Sequence, residues 1–308
     1  MRVLITGGSG LIGRAAAAAL AAQGHEVVVL SRDPERVGEL PAGVRAARWD
    51  GRTAAGWEPL LAAGSAVLNL AGEGIAAGRW TAERKRRIRA SRLDAGRAVA
   101  AAVRQAAAAG RAPAVVLQAS AVGFYGDAGD REVDEEQPPP AAGSDFLAEV
   151  AVAWEASTEE VEALGVRRVA LRTGVVLDRG GGALAKLLPP FRLGLGGPLG
   201  SGRQWLPWIH MADEVGAIRF LLATATARGP FNLCAPEPVT NRDFGRALGR
   251  QLHRPSVLPV PAPALRLALG ELAVALLHGQ RALPRRLLAA GYRFRFPDLP
   301  AALADLLG

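Results

Sequence analysis

The sequence predicts an α/β fold: a doubly wound parallel sheet with a smaller, loop-rich C-terminal lobe. Three observations carry that expectation. Short β-branched runs alternate with alanine-rich helical stretches through the first half of the 308 residues, as expected for a parallel sheet with helices on both faces. A glycine-rich loop follows the first of those runs directly. Beyond Thr173 the texture shifts to glycine and proline, with Gly180-Gly181-Gly182 and the stretch from Gly194 to Gly202.

The strands are expected at Arg2 to Thr6, Glu26 to Leu30, Val44 to Arg48, Ala66 to Leu70, Ala114 to Ala119 and Arg168 to Thr173. A helix is expected from Ser144 to Leu164, where Phe146, Val150, Trp154, Val161 and Leu164 recur at helical spacing and Gly165 supplies a stop. Ala98 to Ala109 reads as helix because alanine is the best helix former. An Ala/Leu-rich helix is expected from about Ala264 to Leu277, and the chain closes with Asp298 to Leu307. Residues 1–175 would form the nucleotide-binding domain, with a return to the sheet near 205–250. Residues 176–253 would build the substrate lobe, and 254–308 a short helical domain.

Thr6-Gly7-Gly8-Ser9-Gly10-Leu11-Ile12-Gly13 lies where a strand ends and a helix begins. Glycines there adopt conformations closed to other residues and bring backbone N–H groups close to a pyrophosphate at the positive end of the helix. In a strand-helix-strand context this is the dinucleotide fingerprint of a Rossmann-type sheet. A domain selective for NAD(H) ends its second strand in a carboxylate that bonds the ribose 2′-hydroxyl. Here the strand ends in Leu30-Ser31-Arg32. A hydroxyl at Ser31 and a guanidinium at Arg32 suit a 2′-phosphate, so NADP(H) rather than NAD(H) is the expected cofactor. Asp33 stands one position on, where a register shift would bring a carboxylate to the ribose.

Bulk properties narrow the class. A single cysteine, Cys234, excludes a disulfide scaffold. Neither a leader pattern nor an apolar run long enough to span a membrane is evident, so a cytoplasmic protein is expected. The net charge of +8 could mark nucleic-acid binding, yet lysine occurs only at Lys85 and Lys186 while arginine, alanine and glycine abound, which reads as codon bias. The basic run Arg84 to Arg89 reads as the solvated face of a helix, and no nucleic-acid partner is expected. His25, His210, His253 and His278 are scattered without ligand spacing, so no metal site is expected.

With the glycine loop, Asn69-Leu70-Ala71-Gly72 after the fourth strand and Ser120 after the fifth, the chain resembles the extended short-chain dehydrogenases/reductases. Further runs make it similar to a sugar-nucleotide epimerase-like subgroup that ends in a short domain of unknown function. These are Asn69 to Glu73, Arg79-Trp80-Thr81, Ser91-Arg92, Ser120 to Gly126, Asp145-Phe146-Leu147, Trp154-Glu155 and, near the C-terminus, Gly270-Glu271, Gln280-Arg281, Leu283-Pro284 and Gly291-Tyr292. The resemblance implies that Trp49 and Asp50 border the adenine, and that Asn69, Leu70, Ala71, Gly72 and Glu73, with Arg79, line the nicotinamide-ribose side. Trp208 to Asp213 resembles the stretch before a substrate-lobe helix; Asp50 could instead cap a loop, and His210 could anchor the lobe by packing.

The superfamily's usual tyrosine, with a lysine four residues on, is missing. The only tyrosines are Tyr125 and Tyr292, followed at that spacing by Gly129 and Phe296. The lysine normally lowers the phenol pKa so that it exchanges a proton while hydride moves. Ser120 and Tyr125 are the remaining catalytic candidates, and Asp127, Asp130, Glu132 and Glu149 read as solvated charges. Two readings follow: an NADP(H)-dependent oxidoreductase or epimerase-like enzyme on a small hydroxylated or carbonyl substrate, which the resemblance extends to a nucleotide sugar, or a catalytically silent NADP(H)-binding sensor or assembly factor. A homodimer through the C-terminal Ala/Leu-rich helices is a third, separate expectation.

Overall fold

The computed structural model describes residues 1–308, except for the side chain of Arg36. Seven strands form one sheet: β1 (Arg2–Thr6), β2 (Glu26–Ser31), β3 (Val44–Arg48), β4 (Ala66–Asn69), β5 (Val115–Ala121), β6 (Arg167–Thr173) and β7 (Gly229–Leu233). Their spatial order is β7-β6-β5-β4-β1-β2-β3 and every pairing is parallel. The order reverses between β1 and β4, the switch point beside which ligands of such sheets lie, outside the carboxyl ends of the strands.

Side chains alternate between two apolar layers, as a pleated strand requires. Val3, Ile5, Val27 and Val29 face the layer of α1 (Leu11–Ala22) and the Met211–Ala223 helix. Leu4, Val28, Val67 and Val116 face the layer of α2 (Ala82–Ala108) and Trp57. Both faces are covered, which is why these strands read as continuous apolar runs. The basic run lies in the first turns of α2, where Arg86, Arg87 and Arg89 are exposed and Ile88 is buried.

The helix expected from 144 to 164 is two helices. Asp145 caps α3 (Phe146–Ala156), its Oδ1 accepting from the amides of Leu147 and Ala148, and a short helix resumes at Glu160–Ala163. At the break, Ser157 and Thr158 donate their hydroxyls to the carbonyls of Trp154 and Glu155 at 2.6 and 3.4 Å, a local competition that loosens a helical ladder. The stretch expected as one helix to Leu277 is also divided. Ala262–Leu269 ends at Gly270, whose φ of 62° breaks the helix before the turns at Gly270–Ala273 and Val274–Leu277.

The C-terminal segment does not stand apart. Arg281–Ala282 pairs in parallel with Glu132–Val133, and Leu287 is buried in the same cluster as β1 and β6 residues. Asp213, 1% exposed, accepts hydrogen bonds from the Tyr292 hydroxyl at 3.0 Å and from the amides of Arg295 and Phe296, both at 2.8 Å. Among the described residues, no helix is long and apolar enough to cross a membrane.

Candidate functional site

The glycine loop closes tightly over β1, β2 and β4. Gly7 has φ +66°, and a Cβ there would stand 2.8 Å from the Leu70 carbonyl carbon; one on Gly8 would stand 2.7 Å from the Val29 methyls. A Cβ on Gly13 would collide with the Gly7 carbonyl oxygen. On Gly10 it would meet only that oxygen, at 3.2 Å, and otherwise open space. No side chain caps α1, and its first turn carries no acidic residue. Its opening amides are therefore available to an anion, and the helix dipole favours one. Arg14 braces the wall of this cradle. Its guanidinium donates to the carbonyls of Ser9 at 3.0 Å, Glu39 at 3.1 Å and Val37. Leu11 lies against Gly181, where a Cβ would stand 2.9 Å from its Cδ1.

At the end of β2 the Ser31 hydroxyl is turned to the loop, accepting from the Asp33 amide at 3.2 Å and donating to the Asp33 carbonyl at 3.1 Å. Arg32 is exposed, its stem beside Gly51, and makes no ion pair within 4 Å among the described residues. Trp49 turns its ring inward. It is 4% exposed, donates to the Thr53 carbonyl at 2.8 Å and meets Trp57 edge-on at 6.2 Å. Asp50 caps the following loop, accepting from the amides of Arg52 and Thr53 and from the Thr53 hydroxyl.

Thr6 and Asn69 are wholly buried and form a strut across β1, β4 and β5. The Thr6 hydroxyl donates to Asn69 Oδ1 at 2.5 Å, and Asn69 Nδ2 donates to Gln118 Oε1 at 2.8 Å. The amides of Leu70 and Ala71 donate to Thr6 Oγ1. These two polar side chains fix the loop after β4, and only its backbone beyond Asn69 reaches the crevice. Gly72 is exposed, while Glu73 is held by Ser91 Oγ at its amide and by Arg84 and Arg87 at its carboxylate, 3.4 and 3.6 Å away. Arg79 reaches the C-terminal segment, donating to the Leu267 carbonyl at 2.7 Å.

Ser120 and Tyr125 are drawn into a buried network. Ser120 Oγ donates to Glu155 Oε1 at 2.6 Å, and Glu155 pairs with Arg172. Arg172 Nη1 donates to the Tyr125 hydroxyl at 3.0 Å, which in turn donates to Asn232 Oδ1 at 2.7 Å. Both are 4% exposed. Burial pushes the Tyr125 phenol up to about 12 despite the opposing pull of Arg172. A phenol so placed stays protonated near neutrality, with no neighbouring cation strong enough to release its proton.

Beside this network, at the carboxyl ends of β5 and β6, lies a cavity of about 250 Å³. Leu147, Val150 and Trp154 of α3 form one side, and Gly174 and Val175 another. Val274, Ala275, His278 and Gln280 of the C-terminal segment form a third. The cavity's polar lining includes Arg92, Asp145, Thr173 and His278. His278 Nδ1 stands 4.0 Å from Asp127 Oδ2. Behind Thr173, whose hydroxyl donates to Glu214 Oε1 at 2.9 Å, Glu214 is fully enclosed and its Oε2 has no partner among the described residues. Burial raises its carboxyl to about 8. His210 is a packed anchor: Nδ1 accepts from the Ala212 amide at 3.0 Å, Nε2 lies 3.3 Å from Asp305, and the ring stacks on Phe296.

The family model for the NAD dependent epimerase/dehydratase family matches residues 3–234, and that for a domain of unknown function (DUF1731) matches residues 260–306. The chain belongs to the NAD dependent epimerase/dehydratase family. It is 40% identical over 310 residues to the mouse epimerase family protein SDR39U1, covering 100% of both chains. It is 38% identical over 307 residues to the epimerase family protein YfhF of Bacillus subtilis, covering 100% of this chain and 98% of that one. The crystal structure of human SDR39U1 (isoform 2) with NADPH superposes with a TM-score of 0.88 at 36% identity, covering 100% of this chain and 99% of that one. Within this family's frame, sequence reasoning found the cradle but missed Arg92 and His278 as cavity-lining groups, and Arg172, Asn232 and Glu214 entirely. Ser91-Arg92 and Trp154-Glu155 had stood out as family-like pairs, a signal without a role.

Proposed function

We propose that the protein is an NADP(H)-dependent oxidoreductase or epimerase-like enzyme acting on a small hydroxylated or carbonyl substrate. The carrying observation is the uncapped start of α1 behind Gly7, Gly8 and Gly13, which admit no Cβ, with exposed Arg32 rather than a carboxylate just past the end of β2. The human relative crystallised with NADPH supports it. When bound, the nicotinamide supplies hydride transfer. The chain's own residues do the rest: the loop amides receive the diphosphate, Arg32 the 2′-phosphate, and the apolar cavity wall excludes water from the reacting carbon. Since Tyr125 and Ser120 are locked away, His278, which lines the cavity with Asp127 4.0 Å from its Nδ1, is the remaining group there suited to exchange the accompanying proton.

Calorimetric titration with NADPH and NADH tests the first half of this reading, and NADPH oxidation with a panel of carbonyl compounds tests the second. NADPH should bind more tightly, and His278→Gln should lower kcat while leaving NADPH affinity unchanged. No heat with either nucleotide would sink the reading. The locked Ser120 and Tyr125 also favour a second reading, a silent NADP(H)-binding sensor or assembly factor, in which occupancy stabilises one conformation. Tight NADPH binding with no oxidation of NADPH across the panel would select it. We further place the protein in the cytoplasm, a reading supported by its single, buried and unpaired cysteine, Cys234.

A further inference from the structure

We infer that the cavity beside α3 takes a small, mainly apolar carboxylate, and that Arg92 is the residue that recognises it. The inference rests on the cofactor reading above and names the substrate class of the same site. Arg92, half-buried on α2, lies over Gly72, where a Cβ would stand 3.1 Å from its Cζ, and its guanidinium stacks on Trp154 at 4.8 Å. Nη1 is committed, donating to the carbonyls of Glu73 at 2.9 Å and Ile88 at 3.0 Å. Nε and Nη2 find no protein partner, and no carboxylate pairs with Arg92 within 4 Å, among the described residues. The stacking and the two carbonyls therefore hold a cation whose free edge is left for something else.

That free edge is the side-on fork of a guanidinium, which takes both oxygens of a carboxylate at once. Burial lowers Arg92 to about 10 against the opposing pull of the Glu73 charge, so the cation persists at neutral pH with no carboxylate bound to its free edge. The cavity's own carboxylate, Asp145, is committed through Oδ1 to the start of α3. Most of the remaining wall is hydrocarbon, from Ile75, Val122, Leu147, Val150 and Val274. At about 250 Å³ the space falls below the roughly 300–1,000 Å³ of drug-sized ligand sites. One guanidinium would also leave a nucleoside diphosphate under-neutralised. A nucleotide sugar is thus a poor match, and a short-chain or single-ring 2-oxo acid is a good one.

The test uses the full chain saturated with NADPH, titrated calorimetrically with a series of 2-oxo acids from pyruvate to benzoylformate and with the methyl ester of each. At least one acid should bind about tenfold or more tightly than its ester, the worth of one charge-assisted fork. Arg92→Gln should bring that acid to the ester's level with NADPH affinity unchanged, and Arg92→Lys should fall between. Acid and ester binding alike across the series in the wild type would overturn the inference while leaving the cofactor reading intact. An absent NADPH signal would fell both. The comparison within the wild type holds even if a variant fails to fold.

Discussion

Glu155 receives Arg172 on both carboxylate oxygens, Nε at 2.8 Å from Oε1 and Nη2 at 3.1 Å from Oε2, with the two side chains 10% and 6% exposed. The guanidinium also lies 3.5 Å from the Phe124 ring centroid. Burial alone would depress Arg172, but the Glu155 bonds and charge reverse this and hold it above its ordinary value. Removing one partner strands the other's charge. Arg172→Met should therefore cost about 3–5 kcal/mol in urea unfolding, well beyond the effect of a surface arginine.

Tyr125→Phe should act on stability rather than chemistry. It leaves Asn232 Oδ1 without its hydroxyl donor and should cost about 1–3 kcal/mol. NADPH affinity by calorimetry should not move, and neither should turnover measured at a temperature where the variant stays folded. A loss of turnover with unchanged stability would return Tyr125 to the chemistry.

Arg32→Glu should reverse cofactor preference. An exposed guanidinium replaced by a carboxylate would repel a 2′-phosphate and accept hydrogen bonds from a 2′-hydroxyl, so NADPH affinity should fall about tenfold or more while NADH affinity holds or rises. Equal losses for both nucleotides would place the effect on the loop fold instead.

Glu214 predicts a pH dependence of stability. Burial raises its carboxyl from 4.5 in the unfolded chain to about 8 in the fold, so over that interval the folded state keeps a proton that the unfolded state has released. Its contribution is full below pH 4.5 and is lost as pH rises through about 8, at a slope of at most about 1.4 kcal/mol per pH unit. Glu214→Gln should flatten that slope in urea midpoints taken from about pH 5 to about pH 8.5. An unchanged slope would remove Glu214 as its source.

Much of the sheet was legible because its signal is local. β1 and β3 fall at the expected residues, and β2, β4, β5 and β6 differ by one or two at an end. Apolar runs bounded by turns report their own burial. The glycine loop was legible because its glycines fall within eight consecutive positions, although Leu70 and Val29, distant in sequence, set the steric demand at Gly7 and Gly8. The seventh strand, Gly229–Leu233, had only the expectation of a return to the sheet near 205–250. The candidate site was less readable. Thr6, Asn69 and Gln118 lie 63 and 49 residues apart along the chain yet share one strut, and nothing local says that their polar groups satisfy each other rather than a ligand. Arg92 stands in the sequence only as part of the family-like pair Ser91-Arg92, with nothing local to give it a role. Only the fold shows that Trp154 and two carbonyls hold it at a cavity.

Asp213 joins the amides of Arg295 and Phe296 to a helix that packs against α1, and Leu287 fills the layer under the sheet. The boundary between the two family matches is therefore not a boundary of packing. A chain ended in the gap between them would bare the apolar surface around Leu287 and leave the buried Asp213 carboxylate without its partners, so both halves should melt in a single cooperative step.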